Sequence, residues 1–180
     1  MSVMKPLELI RYLFCVHCNT DALTIHKRDH VRCLSCGYQY PNEEGIPDFR
    51  LPTDIASVDS SDLFGESLTR EVHPISYSLR EVCFSRMVRL LYSTIPDLKN
   101  RVFLFMGTGT GNDIRYIHQV IPFHKAIGFD ISPVSLVEHR KYAERHYPDV
   151  FLGLVLASNR FIPVKKMDNT LGLVNFDASP

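Results

Sequence analysis

The chain has 180 residues and 45% apolar side chains, the composition of a folded globular protein rather than a disordered one. Twenty lysines and arginines balance twenty aspartates and glutamates, so the overall field gives no pull towards a polyanionic partner. No apolar run approaches the roughly 18 residues needed to span a bilayer, and no membrane partner is expected.

The N-terminus, Met1 to Ile10, is broken by Lys5, Pro6 and Glu8 and does not read as a signal peptide. Five cysteines is an odd number, and four of them fall into two Cys-x-x-Cys pairs: Cys15 with Cys18, and Cys33 with Cys36. Together these features point to a reducing, cytoplasmic compartment and to metal ligation rather than disulfides.

A Cys-x-x-Cys knuckle places two thiolates on one tight turn. Two knuckles at hairpin distance complete a tetrahedral sulfur shell, which suits zinc. Gly37, directly after the last cysteine, supplies backbone freedom for the second knuckle. Short strands are predicted at Ala22 to Ile25 and His30 to Arg32. A four-thiolate site is closed to water and substrate, so its role is structural: the metal replaces a core that about fifty residues cannot build. His17 and His30 lie near in sequence, but the cysteine set is complete without them. Up to Arg50 six basic residues face six acidic ones. Lys27, Arg28 and Arg32 form a local basic patch, read more simply as a solvated hairpin.

The segment after the second knuckle, Tyr40-Pro41-Asn42-Glu43-Glu44-Gly45-Ile46-Pro47-Asp48-Phe49, resembles the "YP-x-x-x-GIPDF" tail of a zinc-ribbon family. That family occurs at the N-terminus of some rRNA guanine methyltransferases and many small-molecule methyltransferases. It also occurs as a free-standing activator subunit of tRNA and protein methyltransferases. The likeness covers Phe14 to Phe49. Physically the segment is a Gly-Pro punctuated exit, with Ile46 and Phe49 available to cap a small core.

Leu51 to Gly65 is rich in Ser, Asp and Pro and reads as a linker. Pro74 and the Ser78-x-x-Glu81 capping box announce a helix. Leu79, Val82, Cys83, Met87, Leu90, Leu91 and Ile95 follow the i, i+3, i+4 spacing of one buried face, which makes Cys83 a core thiol. Arg80, Arg86 and Arg89 lie mostly off that stripe, on a face read as solvated. Pro96 closes the helix.

Arg101 to Met106 is a short apolar run suited to a buried parallel strand. It leads into Gly107-Thr108-Gly109-Thr110-Gly111-Asn112 and a short helix from Ile114 to Ile121. Strand, glycine turn and helix form the context of a nucleotide-binding loop. The phosphate-loop reading fails for want of a Gly-Lys-Ser/Thr ending, and the dinucleotide fingerprint fails because Asn112 stands where its third glycine should. A second strand, Ala126 to Phe129, ends in Asp130, nineteen residues after Gly111, where a carboxylate can accept two ribose hydroxyls. A helix follows from Val134 to His146. Further strands are predicted at Val150 to Ala157 and Leu171 to Phe176.

Gly107 to Asn112 resembles the first motif of S-adenosylmethionine-dependent methyltransferases with the Rossmann-like fold. Asp130-Ile131-Ser132-Pro133 is similar to their second motif, and Asn159 to Asn169 to their "LPF-x-D-x-S" turn. The resemblance implies S-adenosylmethionine bound by Gly107, Thr108, Gly109, Gly111, Asp130 and Ser158, and zinc held by the four cysteines. It identifies no catalytic residue; Asp177 is a candidate from position alone. Three features depart from the family. Phe105 stands where an acidic residue usually precedes the first glycine by two. Ser158 or Asn159 replaces the acid after the third strand. Leu171-Gly172 replaces the usual Phe-Asp. A full sheet of this family has seven strands, and from Val102 onward there is room for about four; the chain is then a fragment, a truncated product, or one piece of an assembly in which self-association or a partner chain covers the apolar edge.

The expected architecture is α/β: a zinc ribbon over residues 1–50, a linker and bridging helix over 51–100, and an incomplete Rossmann-like parallel sheet flanked by helices over 101–180. The leading functional reading is a methyltransferase acting on a small molecule or RNA. Its rivals are a non-catalytic zinc-ribbon adaptor with a relic cofactor fold, and an RNA-binding module.

Overall fold

The computed structural model describes residues 6–26, 30–55, 74–95, 97–111, 114, 117–118, 121–158, 162–165 and 170–174. A short helix α1 (Pro6–Leu9) and a 3-10 turn (Ile10–Tyr12) lead into the first cysteine knuckle. Strands β1 (Leu23–His26), β2 (His30–Cys33), β3 (Gln39–Glu43) and β4 (Ile46–Pro47) then form an antiparallel sheet in chain order. Two of these strands, β3 and β4, lie where the sequence reads only as an exit. β3 buries Tyr40 and Asn42 and exposes its other residues, the period-two pattern of a one-sided strand. Glu44 and Gly45, at φ 53° and 84°, make the two-residue turn between them; two positive φ values in succession match the twist of a tight hairpin.

After α2 (Pro52–Ile55) and α3 (Pro74–Thr94), the chain builds β5 (Val102–Met106), β6 (Lys125–Asp130), α4 (Pro133–His146), β7 (Phe151–Leu156) and β8 (Thr170–Val174). The four strands are parallel, in the order β7-β6-β5-β8. Counted from β5 this is 3-2-1-4, the Rossmann-like arrangement, with strand order reversing between β5 and β8. Ser132 caps α4 by accepting a hydrogen bond from the Ser135 amide, and Pro133 occupies the first helical turn.

The parallel sheet is covered on both faces. Phe103 and Phe105 point to a layer made by Val88 of α3, the helical residues Ile114 and Ile117, and Leu136 and Ala143 of α4. Val102 and Leu104 point the other way, into a cluster with Leu9, Leu13, Tyr40 and Phe49. The ribbon and its N-terminal lead therefore form the second covering layer. Gly153 marks the contact: a Cβ there would lie 2.5 Å from the Leu9 side chain. The ribbon also covers a sheet edge. Asp48 bridges Leu156 in parallel, and the Phe49 amide donates to the Leu156 carbonyl at 2.8 Å.

One expectation is corrected. In α3, Val82, Cys83 and Leu90 are exposed, whereas Val88 is fully buried and Leu91 and Ile95 pack on the same core. Leu91 and Ile95 of the expected stripe thus face the sheet, joined by Val88 from outside it. Leu79 and the Arg80 and Ser78-x-x-Glu81 side chains lie outside the described side chains, and the 56–65 part of the linker, Lys27, Arg28 and Pro96 lie outside the described residues. Among the described residues, no helix is long and apolar enough to cross a membrane.

Candidate functional site

The four predicted cysteines converge. Their sulfurs all lie within 4.8 Å of one another, and no other described His, Asp or Glu belongs to the group. Cys15 Sγ is 3.7 Å from Cys36 Sγ, and Cys18 Sγ is 3.6 Å from Cys33 Sγ. A tetrahedron with metal–sulfur bonds of about 2.3 Å has edges of about 3.8 Å, so the donor set has the size of a zinc shell. The two knuckles are built alike. Asn19, at φ 59°, donates to the Cys15 carbonyl, and Gly37, at φ 77°, donates to the Cys33 carbonyl. Asn tolerates this left-handed conformation better than most residues, a role the sequence reading does not give it.

Polar groups beside the sulfurs favour thiolate. Desolvation opposes ionisation of Cys33, but hydrogen bonds from Thr20 and the Cys36 and Ser35 amides pull it down to about 6. Thr20 likewise lowers Cys18. Cys36 accepts from the Tyr38 amide, yet desolvation and the three neighbouring sulfurs hold it up at about 12. Four thiolates this close need a cation among them to ionise together. The buried Tyr40 adds a hydrogen bond between its hydroxyl and Cys15 Sγ at 3.0 Å, and its ring stacks on Phe49 at 4.2 Å. His17 stacks on Tyr38 instead of joining the cluster.

The glycine turn lies at the carboxyl end of β5. Gly107, Gly109 and Gly111 have φ of 64°, 52° and 84°, left-handed values that only glycine adopts freely. The amides of this turn are used internally. Thr108 N–H donates to the Phe129 carbonyl, Gly111 N–H to the Thr108 carbonyl, and Gly109 N–H to Asp130 Oδ2 at 2.7 Å. Asp130 Oδ1 accepts from the Ser132 amide at 2.9 Å, so one carboxylate ties the turn after β5 to the turn after β6. The predicted ribose acceptor is thus also the anchor of the glycine turn. With these three N–H groups engaged, the turn is not a phosphate cradle. A Cβ on Gly109 would meet nothing within 4 Å, which marks open space above it.

Ser158, buried, follows β7, and the preceding Ala157 amide donates to the Asp130 carbonyl. Gly107, Thr108, Gly109, Gly111, Asp130 and Ser158 therefore all stand at the carboxyl edge of the sheet, with the glycine turn beside the point where strand order reverses. Phe105 is buried, stacks on Phe103 and meets Phe123 at a tilt, so its side chain belongs to the core. Asn159, most of the 159–169 turn and Asp177 lie outside the described residues.

Two neighbours of this turn escape the sequence reading. His139 of α4 is fully buried beneath it, with Nδ1 3.2 Å from Thr108 Oγ1. A Cβ on Gly111 would lie 2.5 Å from the His139 ring. Desolvation lowers His139 to about 3, so it is neutral at ordinary pH. The signal was available: Leu136, His139 and Ala143 share a helical stripe. Arg50 has no such signal. Its side chain forms an ion pair with Asp48, 2.7 Å from Oδ2, and donates through a second nitrogen to the Ile131 carbonyl at 2.9 Å.

The chain matches no protein-family model and no curated protein. Among solved structures it is similar to the YcgJ protein of Bacillus subtilis, at 14% identity over 44% of this chain and 32% of that one, with a TM-score of 0.35. DesVI of Streptomyces venezuelae aligns at 20% identity over 58% of this chain and 44% of that one, with a TM-score of 0.37. A third similarity is to a complex between the Haloferax volcanii Trm112 methyltransferase activator and a chain described as a methyltransferase. It has 16% identity over 54% of this chain and 34% of that one, and a TM-score of 0.26. The chain spans less than half the length of each neighbour. Likeness at this level does not bear on activity.

Proposed function

We propose that the glycine turn binds S-adenosylmethionine and that the chain is a methyltransferase, or the cofactor-binding part of one, carrying a structural zinc ribbon. The observation that carries this reading is the turn itself. Three left-handed glycines stand at the carboxyl edge beside the strand-order reversal, the amides of Thr108, Gly109 and Gly111 are engaged internally, and space is open at Gly109. Such a surface suits a ligand held by shape and by a carboxylate rather than by phosphate contacts. Gly107, Thr108, Gly109 and Gly111 would line the cofactor, with Asp130 accepting from its ribose and Ser158 near its base. The cofactor supplies an electrophilic methyl group. The chain's part is to bind and orient it, since methyl transfer of this kind depends chiefly on in-line positioning. Cys15, Cys18, Cys33 and Cys36 would hold zinc.

The test is calorimetric titration of the zinc-loaded chain with S-adenosylhomocysteine. Micromolar affinity that is lost in Gly109→Ala supports the reading. No heat up to millimolar ligand, with the protein folded, overturns it. That result would favour the adaptor reading, which draws support from Phe105: the position of the family's acidic residue is filled by a core aromatic. The methyl acceptor, small molecule or RNA, is then the next question.

A further inference from the structure

Two contacts join the ribbon exit to the elements that hold the glycine turn. At one, Arg50 is clamped by Asp48, whose Oδ1 accepts from the Arg50 amide at 3.0 Å and from Nε at 2.9 Å, while Oδ2 accepts from the far nitrogen at 2.7 Å. The remaining nitrogen reaches across 81 residues of sequence to the Ile131 carbonyl. Ile131 is the one residue between Asp130 and Ser132, the acceptor and donor that set the anchor of the turn. At the other, Arg140 donates to the Glu44 carbonyl and pairs with its carboxylate at the tip of the β3–β4 hairpin. Arg140 neighbours His139, whose ring supports Thr108 and fills the space opposite Gly111.

The geometry points to Arg50 as a positioning residue for the candidate cofactor site, through which the zinc ribbon sets the conformation of the Asp130 turn. The inference deepens the cofactor-binding reading and rests on it for its functional meaning. A guanidinium is required because only its planar fork can hold a carboxylate on one side and donate to a carbonyl on another. The Asp48 carboxylate pre-orients that fork, so little side-chain freedom is left to lose when the carbonyl is engaged. The segment carrying both residues is also the one bridged to the edge of β7 at Leu156. A shift of the ribbon exit therefore moves Ile131, and with it the two hydrogen bonds of Asp130.

The experiment compares the zinc-loaded full chain with Arg50→Gln and Arg50→Lys. Two readouts are used: S-adenosylhomocysteine affinity, and amide hydrogen exchange at Gly109 and Ser132 against amides of the β5–β6 ladder. The expected result for Arg50→Gln is about tenfold weaker binding, within the usual range of coupling between sites. Exchange should be faster at Gly109 and Ser132 while the ladder amides keep their protection. Arg50→Lys, which can satisfy Asp48 or the carbonyl but not both, should fall between the two. Unchanged affinity and exchange in Arg50→Gln would overturn the proposal, and so would exchange that quickens equally across the ladder. If Arg50→Gln does not fold, Arg50→Lys decides by the same criteria. If the parent chain binds no S-adenosylhomocysteine, the cofactor reading fails, while the Gly109 and Ser132 amides still report whether Arg50 positions the turn.

Discussion

The carboxylate of Asp130 accepts the amide of Gly109 at 2.7 Å, closing the turn after β5 onto the end of β6. A second hydrogen bond, from the Ser132 amide, is made by its other oxygen. Asp130→Ala should therefore destabilise the fold as well as remove the proposed ribose contact. Hydrogen bonds to a charged group contribute about 1.5–3 kcal/mol each, so a loss of about 3–6 kcal/mol in chemical denaturation is the expected outcome. Asp130→Asn, which keeps one acceptor oxygen, should recover part of that loss. Equal stability of Asp130→Ala and the parent chain would refute the anchoring role.

Gly109 and Gly111 separate binding from stability. At Gly109 an added methyl meets open space and carries only the left-handed backbone penalty of about 1 kcal/mol. Gly109→Ala should fold and lose S-adenosylhomocysteine binding. At Gly111 the methyl would run into the buried His139 ring at 2.5 Å, so overpacking adds to the strain and the cost rises to about 3 kcal/mol. Thermal unfolding of the two variants side by side checks the contrast.

Zinc removal should reach beyond the ribbon. Cys15, Cys33 and Tyr40 share a core cluster with Leu104, Ile127 and Val155 of the parallel sheet. Structural zinc contributes on the order of 10 kcal/mol to the folding of small zinc modules at neutral pH. A chelator should lower the thermal midpoint of the whole chain in one transition. A separate low-temperature transition, with the sheet unfolding at its original midpoint, would show the two parts to be independent. Metal content should be one ion per chain, and cobalt substitution should give the absorption of a four-thiolate site.

Acid should weaken the fold through His139. Its folded-state value, about 3, lies below the ordinary 6.5 because burial disfavours the charged ring. The unfolded chain therefore binds a proton that the folded chain refuses between those limits. Stability is unaffected above about pH 6.5 and falls as the pH drops towards 3, at up to about 1.4 kcal/mol per unit. His139→Gln should flatten this part of the profile, measured as the difference between variant and parent in denaturant midpoints from pH 7 to 4. Parallel profiles would refute the assignment.

Much of the site was legible because its signals are local. Each knuckle is closed within a few residues of sequence, so Cys15, Cys18, Cys33 and Cys36 announce themselves by spacing, and the structure brings all four sulfurs together. The parallel strands show as short apolar runs, and β5, β6, β7 and β8 fall within a residue or two of where those runs lie. The glycines of the turn at 107, 109 and 111 are needed for backbone angles that the structure shows to be left-handed.

What stayed hidden depends on partners far away in sequence. Hydrophobic periodicity gives α3 an apolar stripe but not its exact centre; packing kept Leu91 and Ile95, added Val88, and left Val82, Cys83 and Leu90 exposed. Nothing in the pattern around Phe49 says that the ribbon exit will bridge the edge of β7, or that Arg50 will reach Ile131. By itself the sequence determined the parallel strands, the cysteine knuckles and the glycine turn, because each rests on the backbone preferences and spacing of near neighbours. Only the tertiary structure decided that the ribbon is a layer of the parallel sheet and that Asp130 locks the turn. Those relationships are choices among many compatible surfaces, made by shape, burial and hydrogen-bond geometry across the whole chain.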